Sequence, residues 1–435
     1  MLRVIGIDFG TSTTYMNVKR YDGNKPLDGD KFSVSPVTFK YGASSGNVET
    51  LVQKLSDGKY QCGSEVDEDE QDSIIREIKM SLESEDEEKK NEAKKATQAF
   101  FEYLFNNYNQ QKADYGDSGD EVETIISYPV KWKEETRRFM IEAAKNAGFE
   151  NVRAIDEAHA AVYSVLVRQI DDINKSVIGD NKQGYMMLVD MGAGTTDIVI
   201  CKYQFNPNTP STDDSVKLNI VTCWPNNADA PTFGGREVDA KLAKYVEDYL
   251  TDSLPEEMKS SAKNIAYVNG ETDKWKRTTV SKKLANNDAV TTCAYAYNKI
   301  AHISSFTKGF PELTRTNFEE LIQDGLADFA KLINDSINDA AQKDADFAEQ
   351  GLDLVILTGG HSAWYFSSEI IDGTMQGYVD NPLLSKIREN KNRVIKLTNP
   401  QSTVANGLVY SKLPFDVKSS NKDAKNDERD ILYMS

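Results

Sequence analysis

The feature that most constrains this chain is that it repeats itself. The segment GIDFGTSTTYMNV, Gly6 to Val18, recurs as LVDMGAGTTDIVI, Leu188 to Ile200. Asp8, Gly10, Thr13 and Thr14 meet Asp190, Gly192, Thr195 and Thr196 at one offset of 182 residues. Each copy is an apolar strand ending in an aspartate, a turn of Gly, Ser and Thr, and a second apolar strand, which is the pattern of a β-hairpin with a backbone-rich tip. The offset is about half the folded length, so the repeat predicts a duplication into two similar lobes that face each other.

The residues between and after the hairpins fit that division. Glu123 to Tyr128 reads as a strand closed by Pro129. Lys133 to Ala147 follows with apolar residues at helical spacing before a stop at Gly148, then come a short strand over Val152 to Ile155 and an alanine- and valine-rich helix over Ala158 to Ile170. The second half repeats the logic with helices over Lys241 to Leu250 and Leu321 to Ile337 and a strand over Leu352 to Leu357. Strands alternating with helices predict α/β layers. The expected organisation is a first lobe over 1–184 with a polar insert at about 40–112, and a second over 185–413 with an insert at about 236–316, most polar over Ala262 to Thr316. A polar tail over 414–435 is expected to be mobile.

A tight turn of Gly, Ser and Thr points backbone N–H groups into one concavity, and its small side chains admit a phosphate close to the main chain. Two such tips, Gly10 to Thr13 and Gly192 to Thr195, would cradle a polyphosphate from both sides. Asp8 and Asp190, each ending a buried strand, would repel those phosphates unless a cation intervened, and Mg²⁺ reaches carboxylates through its waters. The excess of 69 Asp and Glu over 51 Lys and Arg, a net charge of −18, argues against nucleic acid or an anionic membrane as partner. The four cysteines have no metal or redox spacing, and nothing reads as a signal peptide or bilayer span, so a reduced cytoplasmic protein is expected. With three histidines in the chain, a histidine-built metal site or a serine or cysteine triad is a poor expectation.

These residues resemble the ATPase domain of the 70-kDa heat-shock chaperones, within the actin and hexokinase superfamily. GIDFGTSTT is similar to the first phosphate motif of that family and VDMGAGTTDIVI to the second. AIDEAHAAVYSV, Ala154 to Val165, and NPQSTVANGLVY, Asn399 to Tyr410, resemble its two connecting motifs. LVILTGGHSAW, Leu354 to Trp364, resembles the adenosine motif, and FGGREVD, Phe233 to Asp239, resembles the Gly-Gly-Glu-Asp stretch beside the γ-phosphate. The motifs stand in order over roughly residues 1 to 413. The resemblance implies two actin-like lobes of ribonuclease H-like mixed sheets flanked by helices, each with an inserted subdomain, around an ATP cleft. It further implies slow Mg²⁺-dependent ATP hydrolysis that switches conformation for a protein partner or co-chaperone.

Position by position, the resemblance implies that Thr11, Ser12 and Thr13 contact the β- and γ-phosphates and that Asp8 and Asp190 hold hydrated Mg²⁺. Lys79, in IIREIKMSL, would orient the attacking water, and Glu157 would complete the metal and water shell. Asp190, Thr195 and Asp197 would bind or polarise that water and a monovalent ion such as K⁺. Gly10, Gly192, Gly194, Gly234, Gly235, Gly359 and Gly360 would bring backbone against phosphate and adenosine, and Lys276 and Arg277 would hold ATP or ADP from the inserted subdomain. Pro129 and Arg137 match a pair that relays nucleotide state to a partner domain.

Departures temper the match. Ala158 and His159 stand where the family has Pro and Thr, and His159 is expected to pack. Gly-Gly-His-Ser-Ala replaces Gly-Gly-Ser-Thr-Arg, so Ala363 stands where an arginine stacks on adenine. Leu413 to Val417 is only faintly similar to the family's interdomain linker, and too few residues follow for its peptide-binding module. An actin-like filament protein and a small-molecule kinase of the same superfamily are the alternatives.

Overall fold

A computed structural model describes residues 1–27, 33–39, 46–67, 70, 73–168, 183–205, 216–226, 230–251, 280–291, 312–397, 399–413 and 416–419. In the first lobe, β1 (Leu2–Asp8) and β2 (Thr13–Asp22) form the predicted hairpin. On its other side β1 runs parallel to β3 (Glu121–Tyr128), which pairs with β4 (Val152–Asp156). Short strands at Lys25–Pro26, Ser35–Pro36 and Asn47–Glu49 complete a seven-stranded sheet.

The second lobe repeats this order. The hairpin of β5 (Gln183–Met191) and β6 (Thr196–Phe205) is flanked by β7 (Val216–Trp224) beyond β6. Beyond β5 lie the parallel strands β8 (Leu354–Thr358) and β9 (Val394–Lys396). The offset that relates the two sequences also relates the two registers. Leu2 opposite Tyr21 becomes Gly184 opposite Tyr203, and Asp8 opposite Tyr15 becomes Asp190 opposite Asp197. The parallel neighbours agree as well, since Ile7 pairs with Ile126 and Val189 with Leu357.

The strands are buried on both faces, as their near-continuous apolar runs require. Along β5, Met186 and Leu188 face a core shared by the two lobes, and Met187 and Val189 face the outer core of the second lobe. Two helices fill the shared core: α4 (Glu157–Arg168) and α7 (Thr403–Tyr410). They cross backbone on backbone, because a Cβ built on Gly407 would lie 1.6 Å from the Ala160 carbonyl oxygen. Asn17 Nδ2 donates to Asn406 Oδ1 at 2.9 Å and Tyr21 Oη to the Val409 carbonyl at 2.5 Å, fixing α7 against β2.

Helix boundaries follow capping chemistry. In α2 (Glu87–Gln111), the Asp86 carboxylate accepts the Glu88 and Lys89 N–H groups at 3.0 and 3.2 Å. The helix buries Ala93, Ala96, Phe100, Phe101 and Leu104, and Phe100 and Phe101 pack on Phe9 in the same core as Ile5 and Ile7. The end of the stretch read as an insert is therefore continuous with the core of the first lobe. Gly148 caps α3 (Glu134–Ala147) in the left-handed region, as its position in sequence predicts.

Two expectations are corrected. The helix read over Leu321 to Ile337 is two, Arg315–Leu321 and Gln323–Lys343, broken at Ile322. Thr314 opens the first by accepting the Asn317 N–H. The tail expected to be mobile contains a strand, Asp416–Ser419, paired in parallel with Lys217–Ile220 at the edge of the second sheet. Residues 420–435 lie outside the described residues. Among the described residues no helix is long and apolar enough to cross a membrane.

Candidate functional site

Both hairpin tips and the starts of three helices converge between the lobes. The first tip is tight, since a Cβ on Gly10 would stand 2.0 Å from the Thr13 carbonyl oxygen. Thr11 is buried, Thr13 half-buried and Ser12 exposed. In the second tip the Gly192 N–H donates to the Thr195 carbonyl at 2.9 Å. The tips meet across the lobes, because a Cβ on Gly194 would lie 2.6 Å from Thr11 Oγ1 and 2.8 Å from Met80 Sδ.

The Gly234–Gly235 turn opens α5 (Gly235–Thr251) and is bonded to the second tip. The Gly235 N–H donates to the Gly192 carbonyl at 3.1 Å and the Arg236 N–H to the Ala193 carbonyl at 2.9 Å. Gly359, at φ 83°, lets the turn after β8 pass the tip, where a Cβ would lie 2.4 Å from both Asp190 Oδ1 and the Met191 carbonyl oxygen. Gly360 is half-buried in the same turn. These sequence-predicted positions thus share one cleft. Lys276 and Arg277 lie outside the described residues.

The charged residues form one cluster, buried except for half-buried Asp8. Lys79, on the short helix Ile78–Ser81, donates from Nζ to Glu157 Oε1 at the start of α4, and the pair is buried. Asp190 and Asp197 are buried neighbours across the β5–β6 pair, where side chains directly opposite stand about 5 Å apart. Asp197 accepts from Thr195 Oγ1 at 3.1 Å and from the Val130 N–H of the first lobe at 3.3 Å. Asp8 accepts from Ser127 Oγ at 2.8 Å.

Four carboxylates therefore gather around the Lys79 ammonium, with half-buried Lys131 in the field of Asp197. Burial, then the Glu157 charge, pushes the Asp8 carboxyl up to about 7 and Asp197 likewise to about 7. Burial and then Glu157, Asp8 and Asp197 push Asp190 well above the carboxylate range. Lys79 is raised, because Glu157 and Asp8 outweigh the burial that opposes its charge. A cluster so rich in anionic oxygen has the charge and the hard donors that a divalent cation requires, so the residues present fit Mg²⁺.

Sequence reasoning missed two contributors. Ser127 is a polar residue near the end of a buried strand, beside Asp8 only because β1 and β3 are parallel neighbours. His361 sits with its ring against Gly235, where a Cβ would meet ring atoms within 1.9 Å, while Ala363 is exposed. His159 faces Asp156 and Cys223, and the ligand atoms of the three lie within 4.8 Å of one another. It is buried against Asp156, 2.5 Å from Nδ1 to Oδ2, with Cys223 Sγ 3.9 Å away, and it is raised well above its ordinary value because Asp156 outweighs the burial that opposes its charge.

The family model for Hsp70 protein matches residues 4–364. Chaperone protein DnaK of Thermosipho melanesiensis is 22% identical over 362 residues, which are 82% of this chain and 52% of that protein. Chaperone protein dnaK of Thalassiosira pseudonana is 27% identical over 250 residues, 55% of this chain and 34% of that one. A chaperone protein HscA homolog of Rickettsia rickettsii is 27% identical over 125 residues, 29% and 17% of the two chains. The chain spans about half the length, or less, of these curated relatives.

Proposed function

The chain belongs to the Hsp70 family and carries its chaperone-like ATPase domain, and on that premise we propose that it binds ATP between its lobes, hydrolyses it slowly with Mg²⁺, and passes the nucleotide state to a protein partner. The observation that carries this reading is the cluster of buried Glu157, Asp190 and Asp197 and half-buried Asp8 around Lys79, where two register-matched hairpin tips meet.

Thr11, Ser12 and Thr13 from one tip and Gly192 and Gly194 from the other cradle the phosphates. Gly234, Gly235, Gly359 and Gly360 take the adenosine side, joined by Lys276 and Arg277. Bound Mg²⁺ would neutralise phosphate charge, and Asp8 and Asp190 are the residues that would hold it through its waters. Lys79, fixed by Glu157, orients the attacking water. Asp197, raised to about 7 and steadied by Thr195, has the basicity to take that water's proton near neutral pH. The water oxygen bonds to the γ-phosphorus, the bond to the bridging oxygen breaks, and ADP and inorganic phosphate leave. A K⁺ ion would fit the same oxygen-rich shell.

The hydrogen bond from Val130 N–H to Asp197 joins this chemistry to the segment carrying Pro129 and Arg137, whose guanidinium lies 5.1 Å from the Tyr128 ring. That connection supports a relay from nucleotide to partner through a hinge between the lobes. ATP turnover by the purified chain tests the reading. Asp197→Asn is expected to lower it by about 100-fold with the fold intact, and unchanged turnover removes the assignment.

A further inference from the structure

One residue before Glu157 begins a second cluster, of different chemistry. Asp156 ends β4, His159 lies in the first turn of α4, and Cys223 stands near the end of β7, so the first two come from the first lobe and the third from the second. A carboxylate oxygen, a ring nitrogen and a sulfur from these three lie within 4.8 Å of one another. Asp156 and His159 are buried, and Cys223 is half-buried where β7 packs on the core shared by the lobes, which leaves the cluster a route to solvent. Asp156 Oδ1 accepts the His159 N–H at 2.9 Å, and this bond holds the other oxygen, Oδ2, against the ring.

The side of the ring that the partners share decides what the cluster can do. Asp156 Oδ2 lies 2.5 Å and Cys223 Sγ 3.9 Å from the same atom, His159 Nδ1. A nucleophilic triad sets its thiol and its carboxylate on opposite nitrogens, so that the ring takes a proton on one side while it is oriented from the other. Donors gathered on one nitrogen instead suit a cation bound by all three. Around a tetrahedral Zn²⁺ neighbouring donors of these types stand about 3.3–3.6 Å apart, so the thiol would close by about 0.3 Å and the carboxylate open by about 1 Å. Thiolate and imidazole favour such a borderline-soft ion, whereas Mg²⁺ suits the all-oxygen cluster around Lys79. Binding releases the thiol proton and the proton between His159 and Asp156, and one thiolate with one carboxylate then cancels the charge of the ion.

We propose that Asp156, His159 and Cys223 bind Zn²⁺, with water at the fourth position, and that the ion ties the start of α4 to β7 across the two lobes. None of the three residues is assigned to phosphate, Mg²⁺ or adenosine, so Zn²⁺ binding stands or falls apart from the nucleotide reading.

Chelator-competition titration of the metal-free full chain with Zn²⁺, and its absorption spectrum with Co²⁺ in place of Zn²⁺, test it, with excess Mg²⁺ present to occupy the oxygen-rich cluster. One equivalent of Zn²⁺ is expected to bind with a dissociation constant of about 10 µM or tighter. Co²⁺ is expected to give thiolate charge-transfer absorption together with the intense visible bands of tetrahedral coordination. Cys223→Ser should abolish the charge-transfer band, and both it and His159→Gln should weaken Zn²⁺ by about 100-fold, more than loss of a partner that only orients a ligand. Circular dichroism and thermal melts establish that each variant folds. Zn²⁺ should also protect Cys223 of the wild-type chain from alkylation, a readout that needs no variant. Weaker binding, a Co²⁺ spectrum without the thiolate band, an affinity unchanged in the variants, or alkylation of Cys223 unaffected by Zn²⁺ would overturn the proposal.

Discussion

Asp190→Asn separates stability from function with opposite signs. In the nucleotide-free chain Asp190 faces Asp197 directly across the β5–β6 pair and lies in the field of Glu157 and Asp8, partly offset by Lys79. Two unit charges about 5 Å apart at an effective dielectric of about 20 repel by about 3 kcal/mol. Proton uptake at the cluster relieves part of that cost, so the isosteric amide is expected to stabilise the fold by about 2 kcal/mol. Urea denaturation in EDTA at about pH 7.5 should show the midpoint rising at constant slope. The gain should shrink at about pH 5, where the acids hold their protons. ATP turnover by the same variant should collapse. An asparagine variant less stable than wild type at both pH values would refute the electrostatic reasoning, because it would mean that the aspartate is held by attractive contacts rather than against repulsion.

The opposite charge change should do the reverse. Lys79→Met strands Glu157 among three other carboxylates and is expected to cost about 3–5 kcal/mol in denaturant midpoints, with turnover lost. Gly407→Val drives a side chain into the Ala160 carbonyl where α4 and α7 cross, and a loss of about 3 kcal/mol by thermal melting is expected. The pH dependence follows from Asp8 and Asp197, each raised from 3.8 to about 7. Between those values the folded chain holds protons that the unfolded chain has released, so stability without nucleotide should fall as pH rises from about 4 to about 7. A calorimetric series with MgATP should flatten that decline, and a decline unchanged by the ligand would count against cation binding at these carboxylates.

Much of the architecture was legible because the duplication writes itself into the sequence twice. The Asp-x-Gly pattern at a constant offset located both hairpins, and their identical registers follow from identical turns. Gly148 as a helix stop and the strand before Pro129 were legible for local reasons, a left-handed cap and a missing N–H. What escaped depends on contacts between distant segments. Ser127 reaches Asp8 only through parallel pairing, and Asp416–Ser419 pairs only because the second sheet offers an open edge. The long α2 helix was masked by its charge. Its Glu- and Lys-rich first turns fall in the stretch that reads as a polar insert, whereas Phe100, Phe101 and Leu104 further along complete the core of the first lobe.

Whether the carboxylate cluster between the lobes hydrolyses ATP with Mg²⁺ is open to one direct measurement. Single-turnover ATP hydrolysis by the purified full chain, with Mg²⁺ and with EDTA, tests it most directly. ADP formation with Mg²⁺ is expected, abolished by EDTA and slowed about 100-fold by Asp197→Asn. Equal ADP formation with and without the cation, or by wild type and the Asp197→Asn variant, would contradict it.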